Sequence, residues 1–132
     1  MDMPDTASAS SPQRRALVVE DDPAIALIVE TILGAAGFAI DLRETGEAAL
    51  EAAPADLLVA DLTLPGAVGG VALSHRLRDR KPDLAVIYMS GAIDDDAGPD
   101  GAVAGAALIG KPFRRARLLA AVEEAFASRP AA

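Results

Sequence analysis

The stretch Leu-Leu-Val-Ala-Asp at residues 57–61 is an unbroken apolar run that closes on one carboxylate, Asp61. Apolar runs of about four to eight residues between turn residues are typical of strands that are buried on both faces. Similar runs lie at Ala16–Val19, Leu84–Met89 and Ala106–Ile109, and polar residues follow each of them closely. We therefore predict a buried sheet whose strands end in polar side chains.

Helix-favouring segments separate these strands. The predicted helices are Pro23–Ala36, Glu44–Ala53, Val71–Arg80 and Arg114–Ala127, and a further strand is predicted at Phe38–Leu42. Strands that alternate with helices form a parallel sheet with helices on both faces. The pattern predicts an α/β fold of the flavodoxin-like, doubly wound type, with five parallel strands in the order 2-1-3-4-5. A fourth helix is predicted to be weak, because Ala92–Gly105 holds consecutive aspartates, Gly98-Pro99 and Gly101.

The chain of 132 residues has the length of one domain, and its hydrophobic content of 52% is enough for one core. Residues 1–14 show no hydrophobic periodicity and are predicted to form a disordered N-terminal tail. The folded domain is predicted at residues 15–127, and residues 128–132 are predicted to be a short C-terminal tail.

The composition excludes several classes of site. The chain has no cysteine, which rules out disulfides, thiol nucleophiles and cysteine zinc sites and is typical of a reducing compartment. Its net charge of −8 argues against direct binding to nucleic acid or to an anionic membrane. No apolar run has the length of a membrane helix, and the N-terminus lacks the apolar core of a signal peptide. We expect a cytoplasmic protein with no nucleic-acid or membrane partner.

Polar side chains stand at the carboxyl ends of the predicted strands. They are Glu20-Asp21-Asp22 after the first strand, Asp61 at the third, Ser90 after the fourth and Lys111 after the fifth. Ligand sites of open parallel sheets lie outside these strand ends, so we expect the side chains to converge. Crowded carboxylates favour a hard divalent cation such as Mg²⁺. A carboxylate beside that cation can attack a phosphoryl group, whose oxygens an ammonium and a hydroxyl then stabilise.

Each of these features also has an ordinary structural explanation. Asp22 has the position of a helix N-cap, and Asp61 and Ser90 precede segments that resemble turns. A single lysine such as Lys111 carries no information by itself. Taken singly, each ordinary explanation is favoured, but their coincidence at four strand ends of one topology favours a phosphoryl-transfer site.

Four segments resemble the signature motifs of the receiver domains of bacterial two-component systems. They are Val18-Val19-Glu20-Asp21-Asp22-Pro23, Asp61-Leu62-Thr63-Leu64-Pro65, Met89-Ser90-Gly91 and Lys111-Pro112-Phe113. The resemblance covers about Arg15 to Ala127. The set of motifs is specific, although each motif alone is weak.

The resemblance implies a role for each site residue. Asp61 is implied to be the phosphoacceptor, and the phosphodonor is a sensor histidine kinase or a histidine phosphotransfer protein. The implied Mg²⁺ ligands are Asp61, Asp21, Glu20 acting through water, and the backbone carbonyl of Thr63. The implied contacts to the phosphoryl oxygens come from Ser90 and Lys111. The Lys111-Pro112 bond is implied to be cis.

Three positions depart from the pattern of receiver domains. Ser90 stands where these domains usually have threonine, and Leu108 stands where they usually have an aromatic ring that moves inward on phosphorylation. The loop of residues 66–70 is one residue longer than usual and lacks the common Asp before Gly. The phosphorylation chemistry is therefore expected to be intact. The resemblance associates Leu108 and Pro112 with signal output, but Leu108 has no ring that could move, so the output needs another mobile element. We expect Ala92–Gly105 to be that element.

We predict a phosphoacceptor without a DNA-binding output domain, which docks an unidentified downstream protein or relays phosphate to a histidine phosphotransfer domain. It is expected to be a monomer or weak homodimer, and not an enzyme beyond its own phosphorylation and slow dephosphorylation. The alternative is a receiver-like interaction module that is never phosphorylated, for which loss of an acid or of Lys111 would be expected. An aspartyl phosphatase would need a second aspartate as general acid, and a flavin carrier would need a phosphate loop after the first strand.

Two further features carry less weight. Residues 105–111 have the spacing of a P-loop, but Pro112 replaces the Ser or Thr that would bind Mg²⁺, and the intervening residues form a predicted strand. His75, the only histidine, is expected to be exposed on the third helix. Neither feature is expected to take part in the chemistry.

Overall fold

A computed structural model describes residues 13–91 and 99–131, which form five strands and four helices. The strands are β1 (Arg15–Val19), β2 (Ala39–Arg43), β3 (Leu57–Asp61), β4 (Ala85–Ser90) and β5 (Ala107–Gly110). The helices are α1 (Pro23–Ala35), α2 (Gly46–Leu50), α3 (Gly70–Arg80) and α4 (Arg115–Ser128). Within those two ranges, no helix has the length and hydropathy needed to cross a membrane.

The strands form one parallel sheet in the order β2-β1-β3-β4-β5. In its register, Ala60 of β3 lies between Val19 of β1 and Tyr88 of β4, and Tyr88 also pairs with Leu108 of β5. This topology confirms the predicted fold class and strand order. The strand order reverses between β1 and β3, so the carboxyl ends of these two strands flank the crevice where ligand sites form in such sheets.

Two apolar layers cover the sheet, as the alternation of side chains along a strand requires. The layer on one face holds the buried side chains of α1 and α4 together with Val18, Val59 and Ile87. The layer on the other face holds those of α2 and α3 together with Leu17, Leu58 and Tyr88. Aromatic residues make up 3% of the chain, so aliphatic side chains fill both layers.

Local sequence explains where α1 begins and ends. The Asp22 carboxylate accepts a hydrogen bond of 2.9 Å from Ala24 N, and Pro23 occupies the first helical position, where an N–H has no partner within the helix. Beyond the last turn, Gly37 adopts a φ of 102°, which a residue without Cβ does at little cost. The predicted N-cap of this helix is therefore observed, and Gly37 lies just past its end.

Helix α2 is shorter than the prediction of Glu44–Ala53. Its N-cap is Thr45, whose hydroxyl accepts a hydrogen bond of 3.0 Å from Ala48 N. At the other end Pro54 disfavours helical backbone at the residue before it, and the chain leaves the helix after Leu50. The other predicted elements that the structure describes agree with the observed bounds to within one residue.

Residues 99–105, which lead into β5, do not form a regular helix. The prediction of a weak fourth helix covers Ala92–Gly105, of which residues 92–98 lie outside the described residues. Residues 99–105 form turns, with Gly101 and Gly105 at φ values of 78° and 75°. A Cβ at Gly105 would overlap the backbone carbonyl of Ser128, so glycine allows this segment to pass the end of α4.

Both ends of the described chain contact one aromatic ring. The guanidinium groups of Arg14 and Arg129 lie 4.3 Å and 4.9 Å from the centroid of Phe126. Cations over an aromatic face are attracted by its quadrupole. The predicted tail of residues 1–14 lies outside the described residues except for Gln13 and Arg14, and Arg14 is part of the folded unit.

Candidate functional site

The carboxyl ends of β1, β3 and β5 bring Glu20, Asp61 and Lys111 into contact. Lys111 Nζ donates to Asp61 Oδ2 at 2.8 Å and to Glu20 Oε1 at 3.0 Å. These contacts join residues that are 50 and 91 positions apart in the chain. The structure therefore brings together the side chains that the strand pattern placed at one edge of the sheet.

The Asp61 side chain is almost closed to solvent, with 4% of the residue exposed. Its Oδ1 atom accepts a hydrogen bond of 2.9 Å from Thr63 N, and its Oδ2 atom accepts the one from Lys111. The next residue is also fixed, because Leu62 N donates to Met89 O of β4 at 2.9 Å. The carboxylate is thus held in one orientation by the chain on both sides of it.

Burial and charge act in opposite directions on the other two groups. The pKa of Glu20 is raised, first by burial and also by the negative charge of Asp61, although hydrogen bonds from Asp22 N and Lys111 oppose this. Burial disfavours the Lys111 ammonium, but its hydrogen bonds to Asp61 and Glu20 outweigh that effect and raise the pKa of Lys111. Lys111 is therefore the cation that balances the two buried carboxylates.

Three carboxylates at this edge have the geometry of a cation site. One oxygen each of Glu20, Asp21 and Asp61 lies within 4.8 Å of the others, and Asp21 is exposed. Mg²⁺ takes oxygen ligands at about 2.0–2.1 Å, which puts opposite ligands about 4 Å apart. The residues therefore fit a hard divalent cation after small movements. The roles implied for the Thr63 carbonyl and for water at Glu20 stay predictions.

The remaining predicted residues flank this cluster. Ser90 ends β4, and its carbonyl accepts a hydrogen bond of 2.7 Å from Lys111 N. The Lys111-Pro112 bond is cis, as the resemblance implied. Leu108 is half-buried on β5. The contacts of Ser90 and Lys111 with phosphoryl oxygens and the output roles of Leu108 and Pro112 stay predictions.

The two features of lesser weight lie outside the chemistry. Residues 107–110 of the P-loop-like stretch form β5, so they do not form a phosphate-binding loop. His75 is exposed on α3, as predicted, and its Nε2 atom makes a short hydrogen bond with Gly101 O.

Glu47 holds the loop that follows Asp61, and the sequence offered no signal for it. Its Oε2 atom accepts a hydrogen bond of 2.9 Å from Ala67 N, which is 20 positions away. Gly66 packs against the same carboxylate at a φ of 90°, and a Cβ there would lie 2.8 Å from Oε2. A glutamate in the first turn of a short helix is common as a dipole partner, so its contact with a distant loop could not be inferred.

We expect Glu47→Gln to destabilise the protein at neutral pH and to have less effect in acid. Backbone hydrogen bonds, first that from Ala67, lower the pKa of Glu47 below its ordinary value of 4.5. A lowered pKa stabilises the folded state above the ordinary pKa, and this contribution is lost as the pH falls through the folded-state pKa. Urea midpoints of wild type and variant should therefore differ more at about pH 7 than at about pH 3.

Glu123→Gln is the matched control, because it removes the same charge from an exposed position of α4. Its midpoint should follow that of the wild type at both pH values. An equal effect of Glu47→Gln in acid and at neutral pH would mean that the ionised carboxylate does not hold the loop.

Comparison with known proteins gives relatives over most of the chain. Residues 16–123 match the family described as the response regulator receiver domain. The DNA-binding transcriptional regulator NtrC of Escherichia coli K12 is 36% identical over 112 residues, which cover 82% of this chain and 24% of NtrC. The transcriptional regulatory protein FixJ of Bradyrhizobium diazoefficiens is 30% identical over 112 residues, or 82% of this chain and 54% of FixJ. The chain thus spans only part of the length of these relatives.

Solved structures agree with this assignment. A response regulator receiver protein from Sinorhizobium medicae WSM419 superposes with a TM-score of 0.75 at 25% identity, covering 89% of this chain and 98% of that one. A response regulator receiver domain protein from Methanospirillum hungatei JF-1 gives a TM-score of 0.72 at 25% identity, covering 88% and 95%. With the fold, the acidic cluster and Lys111 in place, the chain belongs to the response regulator receiver domain family.

Proposed function

We propose that the chain accepts a phosphoryl group on Asp61 from a phosphohistidine of a partner protein and that this changes its affinity for a downstream protein. The observation that carries the proposal is the environment of Asp61. Its carboxylate is buried, lies 2.8 Å from Lys111 Nζ and has oxygens of Glu20 and Asp21 within 4.8 Å. This arrangement favours attack by Asp61 on a phosphoryl group whose charge the Lys111 ammonium and a bound divalent cation would neutralise.

The transfer exchanges one bond to phosphorus for another. A carboxylate oxygen of Asp61 forms an O–P bond, the P–N bond to the imidazole breaks, and the histidine nitrogen leaves with the electron pair and takes a proton. Glu20, Asp21, Asp61 and the Thr63 carbonyl would hold Mg²⁺, which would supply positive charge to the phosphoryl oxygens. The Lys111 ammonium and the Ser90 hydroxyl hold the remaining oxygens in the product.

An apolar groove beside the site supports the docking of a protein donor. It has a volume of about 330 Å³ and is lined by Ile25, Ile28, Lys111, Pro112 and Phe113. Ile28 is 48% exposed, so the groove presents apolar surface that a partner could cover. A partner helix seated on this groove would bring its histidine to the edge where Lys111 meets Asp61. A sensor histidine kinase or a histidine phosphotransfer protein has this chemistry.

The proposal extends to properties that rest on composition and charge. We place the protein in the cytoplasm as a monomer or weak homodimer, and the net charge of −8 supports the proposal that this chain does not itself bind nucleic acid. Its only reactions are its own phosphorylation and slow dephosphorylation. Its downstream partner is a protein that distinguishes the two states.

Incubation with acetyl phosphate and Mg²⁺, followed by intact mass measurement, tests the proposal. Wild type should gain one phosphoryl group, and Asp61→Asn should gain none. Asp56→Asn is the matched control, because Asp56 lies at the other end of the same strand, where its carboxylate accepts a hydrogen bond of 2.9 Å from Arg15 N. It should be phosphorylated like wild type. A folded wild type that gains no phosphoryl group would favour the interaction module that is never phosphorylated.

A further inference from the structure

Tyr88 is the only tyrosine of the chain, and its hydroxyl lies inside the fold. The residue is 1% exposed on β4, two positions before Ser90. Its Oη atom lies 2.7 Å from Ser74 Oγ of α3 and 3.0 Å from Val103 N. A buried phenol needs such partners, since an unpaired hydroxyl in an apolar layer is costly.

The protons of this cluster can be assigned one by one. Ser74 Oγ donates its single hydrogen to Val71 O at 2.6 Å, so it must accept from the Tyr88 hydroxyl. Tyr88 Oη then accepts from the Val103 N–H. We call this run from Val103 N–H through Tyr88 and Ser74 to Val71 O the Tyr88 hydrogen-bond chain. All its bonds point the same way, an arrangement in which each bond polarises the next.

The Tyr88 hydrogen-bond chain links residues 99–104 to α3 through buried hydrogen bonds. Two other contacts of this segment with α3 lie nearer the surface. They are the hydrogen bond between His75 Nε2 and Gly101 O, and that from Arg78 Nη1 to Ala104 O at 3.0 Å. Val103 itself is 6% exposed and packs in the apolar layer that Tyr88 shares. Loss of the phenol contact would therefore loosen the segment at its buried point.

Arg78 is only partly paired at its contact with this segment. Its Nε and Nη2 atoms are buried and find no hydrogen-bond partner within the described residues 13–91 and 99–131. Burial also lowers the pKa of Arg78, which shows that its surroundings disfavour the charge. Unpaired buried donors cost free energy that exposed donors do not. Arg78 therefore stabilises the contact between α3 and residues 99–104 less than a fully paired arginine would.

The end of β4 connects the Tyr88 hydrogen-bond chain to the proposed phosphorylation site. Met89 O accepts a hydrogen bond of 2.9 Å from Leu62 N, the residue after Asp61. Ser90 O accepts one of 2.7 Å from Lys111 N. A shift of either site residue thus acts on backbone one or two residues from Tyr88. Leu108, which lies opposite Tyr88 in the sheet, has no ring that could transmit the shift.

We propose that the Tyr88 hydrogen-bond chain transmits phosphorylation of Asp61 to the surface formed by α3 and residues 99–104. Movement of the Ser90 end of β4 toward the phosphoryl group withdraws the phenol from Val103 N–H and releases the segment. This proposal rests on the proposed function, since it requires a phosphoryl group at Asp61. The downstream protein then recognises the released form of this surface.

Hydrogen exchange at the Val103 amide tests the Tyr88 hydrogen-bond chain without any phosphodonor. Tyr88→Phe keeps the ring and removes the hydroxyl, so the amide should exchange about three- to tenfold faster than in wild type. Ser74→Ala keeps the phenol and removes its acceptor. The exchange rate of the Val103 amide should rise in this variant too, which keeps the test valid if Tyr88→Phe folds poorly. The control Thr31→Ala removes a hydroxyl that donates to a helix carbonyl, Leu27 O at 2.7 Å, and should leave Val103 unchanged.

The same measurement with beryllofluoride and Mg²⁺ tests the coupling. Exchange at Val103 should rise in wild type to the level of Tyr88→Phe, and should not rise further in that variant. Tyrosine emission should change in wild type under the same conditions. It reports Tyr88 alone, because Tyr88 is the single tyrosine and there is no tryptophan in the sequence to mask its emission. Binding of beryllofluoride at Asp61 with unchanged exchange at the Val103 amide would overturn the proposal. If acetyl phosphate added no phosphoryl group to Asp61, the proposed function would be refuted instead, and the coupling with it. Exchange at Val103 in Tyr88→Phe would still test the Tyr88 hydrogen-bond chain itself.

Discussion

Replacement of Lys111 by methionine is expected to lower the free energy of unfolding by about 3–5 kcal/mol, the usual cost of removing one partner from a buried ion pair. Glu20 and Asp61 are 2% and 4% exposed, and they would lose the ammonium that lies within 3.0 Å of both. The lysine side chain is 17% exposed, so the effect should fall in the lower half of that range. Mg²⁺ should restore part of the stability, because a cation among the carboxylates replaces the missing charge. Urea denaturation with Mg²⁺ and with a chelator measures both effects.

Lys81, the only other lysine of the chain, gives a matched control. It also precedes a proline, but its side chain is 30% exposed and its Nζ atom lies 3.2 Å from Asp83 Oδ1 and 4.0 Å from Asp56 Oδ1. Exposed ion pairs contribute at most about 1 kcal/mol, so Lys81→Met should have a small effect that Mg²⁺ does not reverse. Equal losses in the two variants would show that Lys111 has no special role in balancing the buried carboxylates.

Gly70→Ala should displace the backbone of Asp61, against which Gly70 packs. A Cβ at Gly70 would lie 2.5 Å from Asp61 O and 3.2 Å from Leu62 Cα, which are backbone atoms that cannot rotate away. Overpacking of this kind costs about 1–3 kcal/mol. Because the atoms displaced belong to the phosphoacceptor itself, the rate of phosphoryl uptake from acetyl phosphate should fall together with the urea midpoint.

The neighbouring glycine separates this effect from a general intolerance of the loop. A Cβ at Gly69 meets nothing within 4 Å, and the φ of Gly69 is −80°, which alanine adopts readily. Gly69→Ala should therefore retain wild-type phosphorylation, with at most the modest stability loss of a poorer N-cap. If Gly70→Ala were phosphorylated as fast as Gly69→Ala, the close approach of α3 to Asp61 would not control the site.

The strands were predictable because three central segments are apolar without interruption. Leu57–Asp61 is buried at every position, and such a run between turn residues admits few other structures. The topology followed from the alternation of strands with helices, which have to cover both faces. The length of α2 was not predictable from helix propensity. Alanine and glutamate favour a helix up to Ala53, whereas the helix is capped at Thr45 and at Glu51, ahead of Pro54.

The candidate site was predictable where it depends on strand ends and unpredictable where it depends on packing. Glu20, Asp61 and Lys111 meet because the sheet is parallel, and polar residues at strand ends indicate that without coordinates. Glu47 meets Ala67 through a loop path that no local pattern encodes. Tyr88 gave a weak signal, since a phenol within an apolar strand needs a buried partner, but the partners Ser74 and Val103 depend on how α3 and the next segment pack.

The meeting of Arg14 and Arg129 on Phe126 has a consequence for modularity. Arg14 and Arg129, at the two ends of the folded unit, lie close together at the amino-terminal edge of the sheet. A host protein could therefore carry the unit as an insertion in a surface loop, and a short linker could join its two ends in a circular permutant. Asp61 lies at the opposite edge, separated by the five residues of β3, or about 16 Å of extended chain. A fused neighbour would therefore sense the phosphate mechanically, through the sheet and its helices, and not by direct contact with the modified carboxylate.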